Sequence, residues 1–337
     1  MPRPFGQIHI LLSSRVIFDL EEADRIFAEK GAAEYADYMR GRGAYQADYD
    51  PATFGRKLAP GPLWNFIMAA QRLNEVDPGT VEIGVMCKDN AETALSIFRN
   101  LDIAGLSSAG YRIATAGKPL SVIDLEAFDA DLFLSRNPVD VQLAVDHDVA
   151  AAVINFPSGA HYDRREGTPL RLWLDGDAVS FGSGAEVVFQ ADGLEGFMHH
   201  EFNQAAEPIG SGPFTHLLAK ISQLNARFQD SEKPFELSLL TTRGGEGAAR
   251  AVATIENLGI EFNGEMYFVC GATKFNVLNA HRPDIFFDDQ QVHLREAAAI
   301  CPTGQVPYKT GSPMYHFVQT HKTEKEKIPA KISLPRA

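Results

Sequence analysis

The chain has 337 residues, with 31 basic against 44 acidic side chains and a formal net charge of −13. At about 150 residues per domain, this length allows two domains, each able to bury its own apolar core. An apolar share of 45% and a charged share of 22% exclude a mainly disordered, collagen-like or coiled-coil chain, and the acidic excess argues against a nucleic-acid polymer as partner.

The first apolar run, Ile8–Leu12, is too short for a membrane span or the core of a secretory signal, and no later run approaches the roughly 18 apolar residues of a span. A soluble, cytoplasmic protein with no membrane partner is expected. Cys87, Cys270 and Cys301 are odd in number and widely spaced, so neither a disulfide framework nor a structural zinc site is expected. Further along, Leu170–Leu174, Leu237–Leu240, Met266–Cys270 and Ile285–Phe287 are short apolar runs of the kind that buried parallel strands take. Between the second and third, apolar residues at 248, 251, 252, 255 and 258 form a helical stripe that Gly259 stops. Alternating strands and helices of this kind predict an α/β fold with a mostly parallel sheet. Residues 317–337 are assigned to a tail, because His321–Ala337 is lysine-rich and has no apolar period.

The chain also repeats itself at an offset of about 150–160 residues. Ala23–Phe27 with Gly31 and Tyr35 resembles Ala185–Phe189 with Gly193 and Phe197. Gly61-Pro62-Leu63 with Leu73-Asn74 matches Gly212-Pro213-Phe214 with Leu224-Asn225, and Ala130–Phe133 matches Pro283–Phe286. The order of matches never changes, which points to tandem copies of one domain: 1–155, a Gly/Pro-rich linker at 156–169, and 170–316.

In open α/β sheets ligands bind beyond the carboxyl ends of the strands. There the second half offers Asp175-Gly176-Asp177, Thr241-Thr242-Arg243, Gly271–Lys274 and Asp288-Asp289. Crowded carboxylates repel unless they share a proton or a cation, and an all-oxygen set suits Mg²⁺. A carboxylate can attack phosphorus while a second one protonates the leaving oxygen, with a lysine and a strand-end threonine holding the phosphoryl group.

These four motifs resemble those of the haloacid-dehalogenase phosphatase superfamily. Leu174–Val179, Leu239–Arg243, Gly271–Lys274 and Ile285–Gln290 resemble its cytosolic type I 5'-nucleotidase family, as do Ser13-Ser14-Arg15, Leu58–Gly61, Asp131–Ser135 and Gly304–Tyr308. The likeness runs over almost all of residues 8–310. It implies tandem Rossmann-like domains, the second with a helical cap insertion at about 181–235. It implies Asp175 as nucleophile and Asp177 as general acid/base, with Thr241 or Thr242, Lys274 and Gly176 on the phosphate. It implies Mg²⁺ held at Asp175, the Asp177 backbone carbonyl, Asp288 and Asp289, leaving open which of the last two ligates directly. The implied reaction is Mg²⁺-dependent hydrolysis of nucleoside 5'-monophosphates through an aspartyl-phosphate. A sugar phosphatase of the same chemistry and a non-catalytic nucleotide-binding protein are the competing readings, and a homo-oligomer is compatible with each.

Candidate substrate or effector contacts are Arg15, Arg136, Phe181, His199 and Arg243, with Phe189, Phe202, His200 and Asn203 as further cap residues. His199-His200-Glu201 lacks a third converging ligand, so a surface or cap role is expected in place of a metal site. Gly244–Gly247 reads as a tight turn feeding a helix. At the repeat offsets Asp175 maps to Ser13, Asp177 to Arg15, Thr241 to Cys87, Lys274 to Ser121, and Asp288-Asp289 to Ser135-Arg136. The first copy therefore lacks every catalytic acid. It is expected to be a structural partner with paired arginines, or else a cationic pseudo-site for a phosphate or nucleotide.

Overall fold

The computed structural model describes residues 6–43, 58–87, 91–103, 105–106, 110–113, 118–155, 162, 169–205 and 207–321. Ten strands are described: β1 (Ile8–Ser13), β2 (Val81–Cys87), β3 (Gly110–Ile113), β4 (Leu132–Ser135), β5 (Ala150–Asn155), β6 (Leu170–Leu174), β7 (Phe235–Thr241), β8 (Met266–Phe268), β9 (Ile285–Asp288) and β10 (Thr303–Gln305). The helices are α1 (Ser14–Ile17), α2 (Glu21–Lys30), α3 (Ala32–Gly43), α4 (Trp64–Val76), α5 (Ala91–Ile103), α6 (Val122–Ala127), α7 (Pro138–Asp146), α8 (Gly184–Asn203), α9 (Thr215–Asn225), α10 (Glu246–Asn257), α11 (Phe275–His281), α12 (Gln291–Ala297) and α13 (Pro313–His321). The expected α/β class with a mostly parallel sheet is the one observed. Among the described residues no helix is long and apolar enough to cross a membrane.

All ten strands join one sheet in the order β3-β2-β1-β4-β5-β10-β9-β6-β7-β8. Every neighbouring pair is parallel except β5 and β10, which meet antiparallel with Gly304 opposite Ile154. Counted outward from that seam, the strand order is the same on both sides. The antiparallel seam also turns one half over: β1 and β4 end on one edge of the sheet, β6, β7 and β9 on the other.

Period-two alternation sorts the strand side chains into two layers. Ile8, Ile10 and Leu12 of β1 join Leu170, Leu172 and Leu174 of β6 in a core cluster that spans both halves. On the opposite face the core divides, into a cluster around Leu11, Phe133 and Val141 and another around Trp173, Leu240 and Phe286. On the shared face the halves interlock, because α4 packs on β2 and β6 while α9 packs on β5 and β7.

Local details match across the halves as well. Gly31, between α2 and α3, has φ 92°, and Gly193 breaks α8 with φ 69°; both lie in the left-handed region that glycine enters without cost. Across each break two aromatic rings meet edge-on, Phe27 with Tyr35 at 5.6 Å and Phe189 with Phe197 at 6.1 Å. Asn74 both donates to and accepts from the Val81 backbone, and Asn225 does the same with Phe235.

Two expectations change. The segment 181–235, expected as a cap, divides: α8 stands at the rim, while α9 buries Leu217, Leu218, Ile221 and Leu224 against the sheet and belongs to the core. The helix–glycine–helix unit recurs in the first half as α2 and α3, in line with the match of Ala23–Phe27 to Ala185–Phe189. Residues 317–321, assigned to a tail, complete α13; 322–337 lie outside the described residues, as does the expected linker at 156–169 except for 162 and 169.

Candidate active site

Strands β6, β7 and β9 are parallel neighbours, so their carboxyl ends bring Asp175, Thr241 and Asp288 to one rim. The Asp175 backbone N–H still bonds Phe287 O at 2.8 Å, and Ser180 Oγ donates to Asp175 O at 2.6 Å, which fixes the start of the turn. Gly176 follows because nothing larger fits. A Cβ there would lie 2.6 Å from Phe181 Cζ and 3.1 Å from Thr241 Oγ1. Ala178 then takes a left-handed φ of 60°, a strained turn of the kind found where a loop is shaped for a site.

Lys274, at the start of α11, is 1% exposed. Its Nζ lies 2.7 Å from Asp288 Oδ2 and 2.7 Å from Asp175 Oδ1. The Asp288 contact is also a well-angled hydrogen bond. Asp288 Oδ1 accepts from Gln290 N at 2.8 Å, so both of its oxygens are engaged. Asp289 accepts at Oδ2 from the Tyr308 hydroxyl at 2.6 Å, while its buried Oδ1 has no hydrogen-bond partner among the described residues.

Charge counting explains the titration behaviour. Asp175, Asp288 and Asp289 offer ligand atoms within 4.8 Å of one another, against a single ammonium. Burial raises the Asp175 pKa; Lys274 pulls it down, Asp288 pushes it up, and it settles at about 7. Burial raises Asp288 as well, and burial with the Asp288 and Asp175 charges raises Asp289 far above the usual range. Burial opposes the charge on Lys274, but Asp175 and Asp288 more than restore it. A buried, all-oxygen cluster short of positive charge, with one carboxylate oxygen lacking a donor, fits a small hard dication. Asp175, Asp288 and Asp289 would hold it.

Asp177 stands apart from that cluster. Both of its oxygens accept from Arg243, Oδ2 from Nε at 2.7 Å and Oδ1 from Nη2 at 2.8 Å. Thr241 is buried and its Oγ1 faces Gly176, while Thr242 is exposed, so of the two hydroxyls it is Thr241's that register turns toward the Asp175–Asp177 turn. Gly245, with φ 55°, caps α10, in keeping with a tight turn at Gly244–Gly247.

The remaining candidates scatter. Phe181 is fully buried beneath Gly176 with Arg243 5.4 Å from its ring centre, so it is part of the floor. His199 is exposed and accepts from Asn203 on its own helix, and Phe189 and Phe202 are largely exposed. Arg15 and Arg136 do not reach this site. They follow β1 and β4, whose ends lie on the opposite edge of the sheet, and they pair with Asp24 at 2.7 Å and Glu21 at 3.6 Å. The idea that they line the substrate pocket fails on the antiparallel seam.

The sequence reading missed three residues. Tyr308 lies in a stretch singled out only by resemblance. Glu201, expected at a surface or in the cap, is 1% exposed and paired to Arg243 and Arg250. Glu186, in the first turn of α8, accepts from Gln190 at 2.7 Å and Gln290 at 3.2 Å. Burial, reinforced by Asp177, Asp175 and Asp288, lifts its pKa to about 7 against the Gln190 hydrogen bond. A carboxyl with a raised folded pKa favours the fold below its unfolded value and loses that contribution as pH rises through about 7. Glu186→Gln removes the loss. In metal-free buffer the variant is expected to be more stable than the parent above pH 7, by on the order of 2–3 kcal/mol, and to equal it near pH 4. Urea denaturation from pH 4 to 8 reads the difference.

Comparison with known proteins places this geometry. A family model described as 5'-nucleotidase matches residues 1–313. The chain belongs to the 5'-nucleotidase family. Among curated proteins it is similar to human (Homo sapiens) cytosolic 5'-nucleotidase 1B, 27% identical over 308 residues covering 88% of this chain and 48% of that protein. The chain thus spans about half the length of the curated relative it matches. The cytosolic type I branch of the 5'-nucleotidases, to which the motifs point, is the one that relative's name carries.

Proposed function

We propose that the chain is a Mg²⁺-dependent phosphomonoester hydrolase that converts nucleoside 5'-monophosphates of the AMP type to nucleoside and phosphate. The observation that carries this reading is the buried Asp175–Lys274–Asp288 cluster beside Asp177, in a chain whose family is 5'-nucleotidase. In the first step a carboxylate oxygen of Asp175 attacks phosphorus. The bond from phosphorus to the 5'-oxygen breaks, and Asp177 gives its proton to that oxygen. In the second step Asp177 takes a proton from water, the water oxygen attacks phosphorus, and the Asp175–phosphorus bond breaks. Lys274 and Thr241 hold phosphoryl oxygens throughout. Asp175, Asp288 and Asp289 would hold Mg²⁺, which would supply there the positive charge that lets one anion approach another.

We read 170–316 as the catalytic copy and 1–155 as its degenerate partner. The matching strand order and the paired breaks at Gly31 and Gly193 support this division, and the pairing of Arg15 with Asp24 and Arg136 with Glu21 favours a structural role for the first copy. A phosphate-release panel of nucleoside 5'-monophosphates, 3'-monophosphates and sugar phosphates, with Mg²⁺ or with EDTA, tests the assignment. Release from 5'-monophosphates that EDTA abolishes is expected. Faster release from sugar phosphates, or release that survives EDTA, would overturn it.

A further inference from the structure

Glu201 takes no part in the four motifs, yet it is as deeply buried as Thr241 and Lys274. Each of its oxygens holds an arginine: Oε2 accepts from Arg243 Nη1 at 2.5 Å and Oε1 from Arg250 Nη1 at 2.8 Å. Arg250, on α10, also donates to Glu207 O at 2.8 Å. Arg243 in turn spreads Nε and Nη2 across both oxygens of Asp177 and sends Nη1 to Gly247 O at 3.1 Å. Phe181 and Phe197 lie near its guanidinium, with ring centres 5.4 and 5.3 Å away. Both Glu201 and Phe197 come from the piece of α8 that follows the break at Gly193.

A continuous buried run of charge-assisted hydrogen bonds therefore joins the rim helix to the turn that carries Asp177. Its two arginines balance its two carboxylates, and His200 Nε2 lies 3.9 Å from Glu201 Oε1 at its outer end. An arginine fork fixes the plane of the carboxylate it grips, and with it the direction of the lone pairs left over. We propose that Glu201 and Arg243 are positioning residues, through which the seating of α8 on α10 sets the orientation of the Asp177 carboxylate. The proposal rests on Asp177 being the acid/base group. Single branches reach the Gly247 and Glu207 carbonyls, but the arginine fork itself closes on both oxygens of Asp177.

The test compares Glu201→Gln, which keeps the shape, and Arg243→Lys, which keeps the charge but not the fork, with the parent. In folded protein, both are expected to lower kcat by about 10- to 100-fold while KM stays within about threefold. Because the two act in series, the double variant is expected to be no slower than Arg243→Lys alone. Wild-type kcat in folded Glu201→Gln, or losses that multiply in the double variant, would overturn the proposal. Should those variants not fold, Phe197→Leu leaves no charge unpaired and is expected to lower kcat by about three- to tenfold; an unchanged kcat counts against the idea. The ratios hold for whichever phosphomonoester the parent hydrolyses, so a failure of the nucleotide assignment is read from the parent alone. A crystal structure of Glu201→Gln gives a readout free of turnover. Asp177 rotated off Arg243 supports the coupling, and an unchanged fork refutes it.

Discussion

Asp175→Asn should lower phosphatase turnover by on the order of 10⁴-fold or more while leaving the fold intact. The amide has almost the shape of the carboxylate but no charge with which to attack phosphorus. Stability should not fall. Burial has already raised the Asp175 pKa to about 7, so above that pH the wild-type protein carries a buried charge that it holds at a cost. Asparagine carries none. Lys274 loses one of its two carboxylate neighbours but keeps its hydrogen bond to Asp288. A phosphate-release assay with a melting curve at pH 8 reads both effects, and a variant that still turns over would remove the aspartyl-phosphate from the mechanism.

Lys274→Met should damage the site in two ways, acting on stability and rate together. The methionine fills the space of the lysine stem but leaves Asp175, Asp288 and Asp289 buried with no cation in contact. Removing one partner of a buried ion pair typically costs about 3–5 kcal/mol. The sign of its pH dependence follows from the raised carboxyl pKa values. Without the lysine the folded-state values of Asp175 and Asp288 rise further, so the penalty is small where these groups take up protons and grows as pH climbs through about 7. In metal-free buffer, urea denaturation at pH 5 and pH 8 should show the larger deficit at pH 8. Turnover should fall by about 10²- to 10³-fold, the scale seen when one fixed charge is removed from a developing anion.

Much of this site can be read from the sequence, because β6, β7 and β9 are largely buried on both faces and each is followed at once by its functional residues. Leu170–Leu174 stands out as an apolar run and is a strand over that same range. β7 is longer than its apolar stretch, since Glu236 and Ser238 interrupt the hydropathy; the structure buries Ser238 and lets its Oγ accept from Glu265 N. β8 stops at Phe268, short of the expected Cys270, because Cys270 turns with φ 51°. Glu201 is not legible in this way. An acid beside two histidines on a helix reads as solvated, and its arginines stand 42 and 49 residues further along the chain. Nor does any local pattern announce the antiparallel seam, which decides that Arg15 and Arg136 face away from Asp175.

That seam also has a consequence for how the molecule is assembled. β10 has three residues, and it alone covers the inner margins of β5 and β9. The chain that separates it from its partner on β5 is about as long as a whole domain. During synthesis the first five strands can pair among themselves while β5 waits with its backbone donors and acceptors bare, and an uncovered strand margin is a template for other chains. Thr303–Gln305 is therefore the latch of the sheet, and an interruption just before it would leave two sticky margins where the finished protein has none.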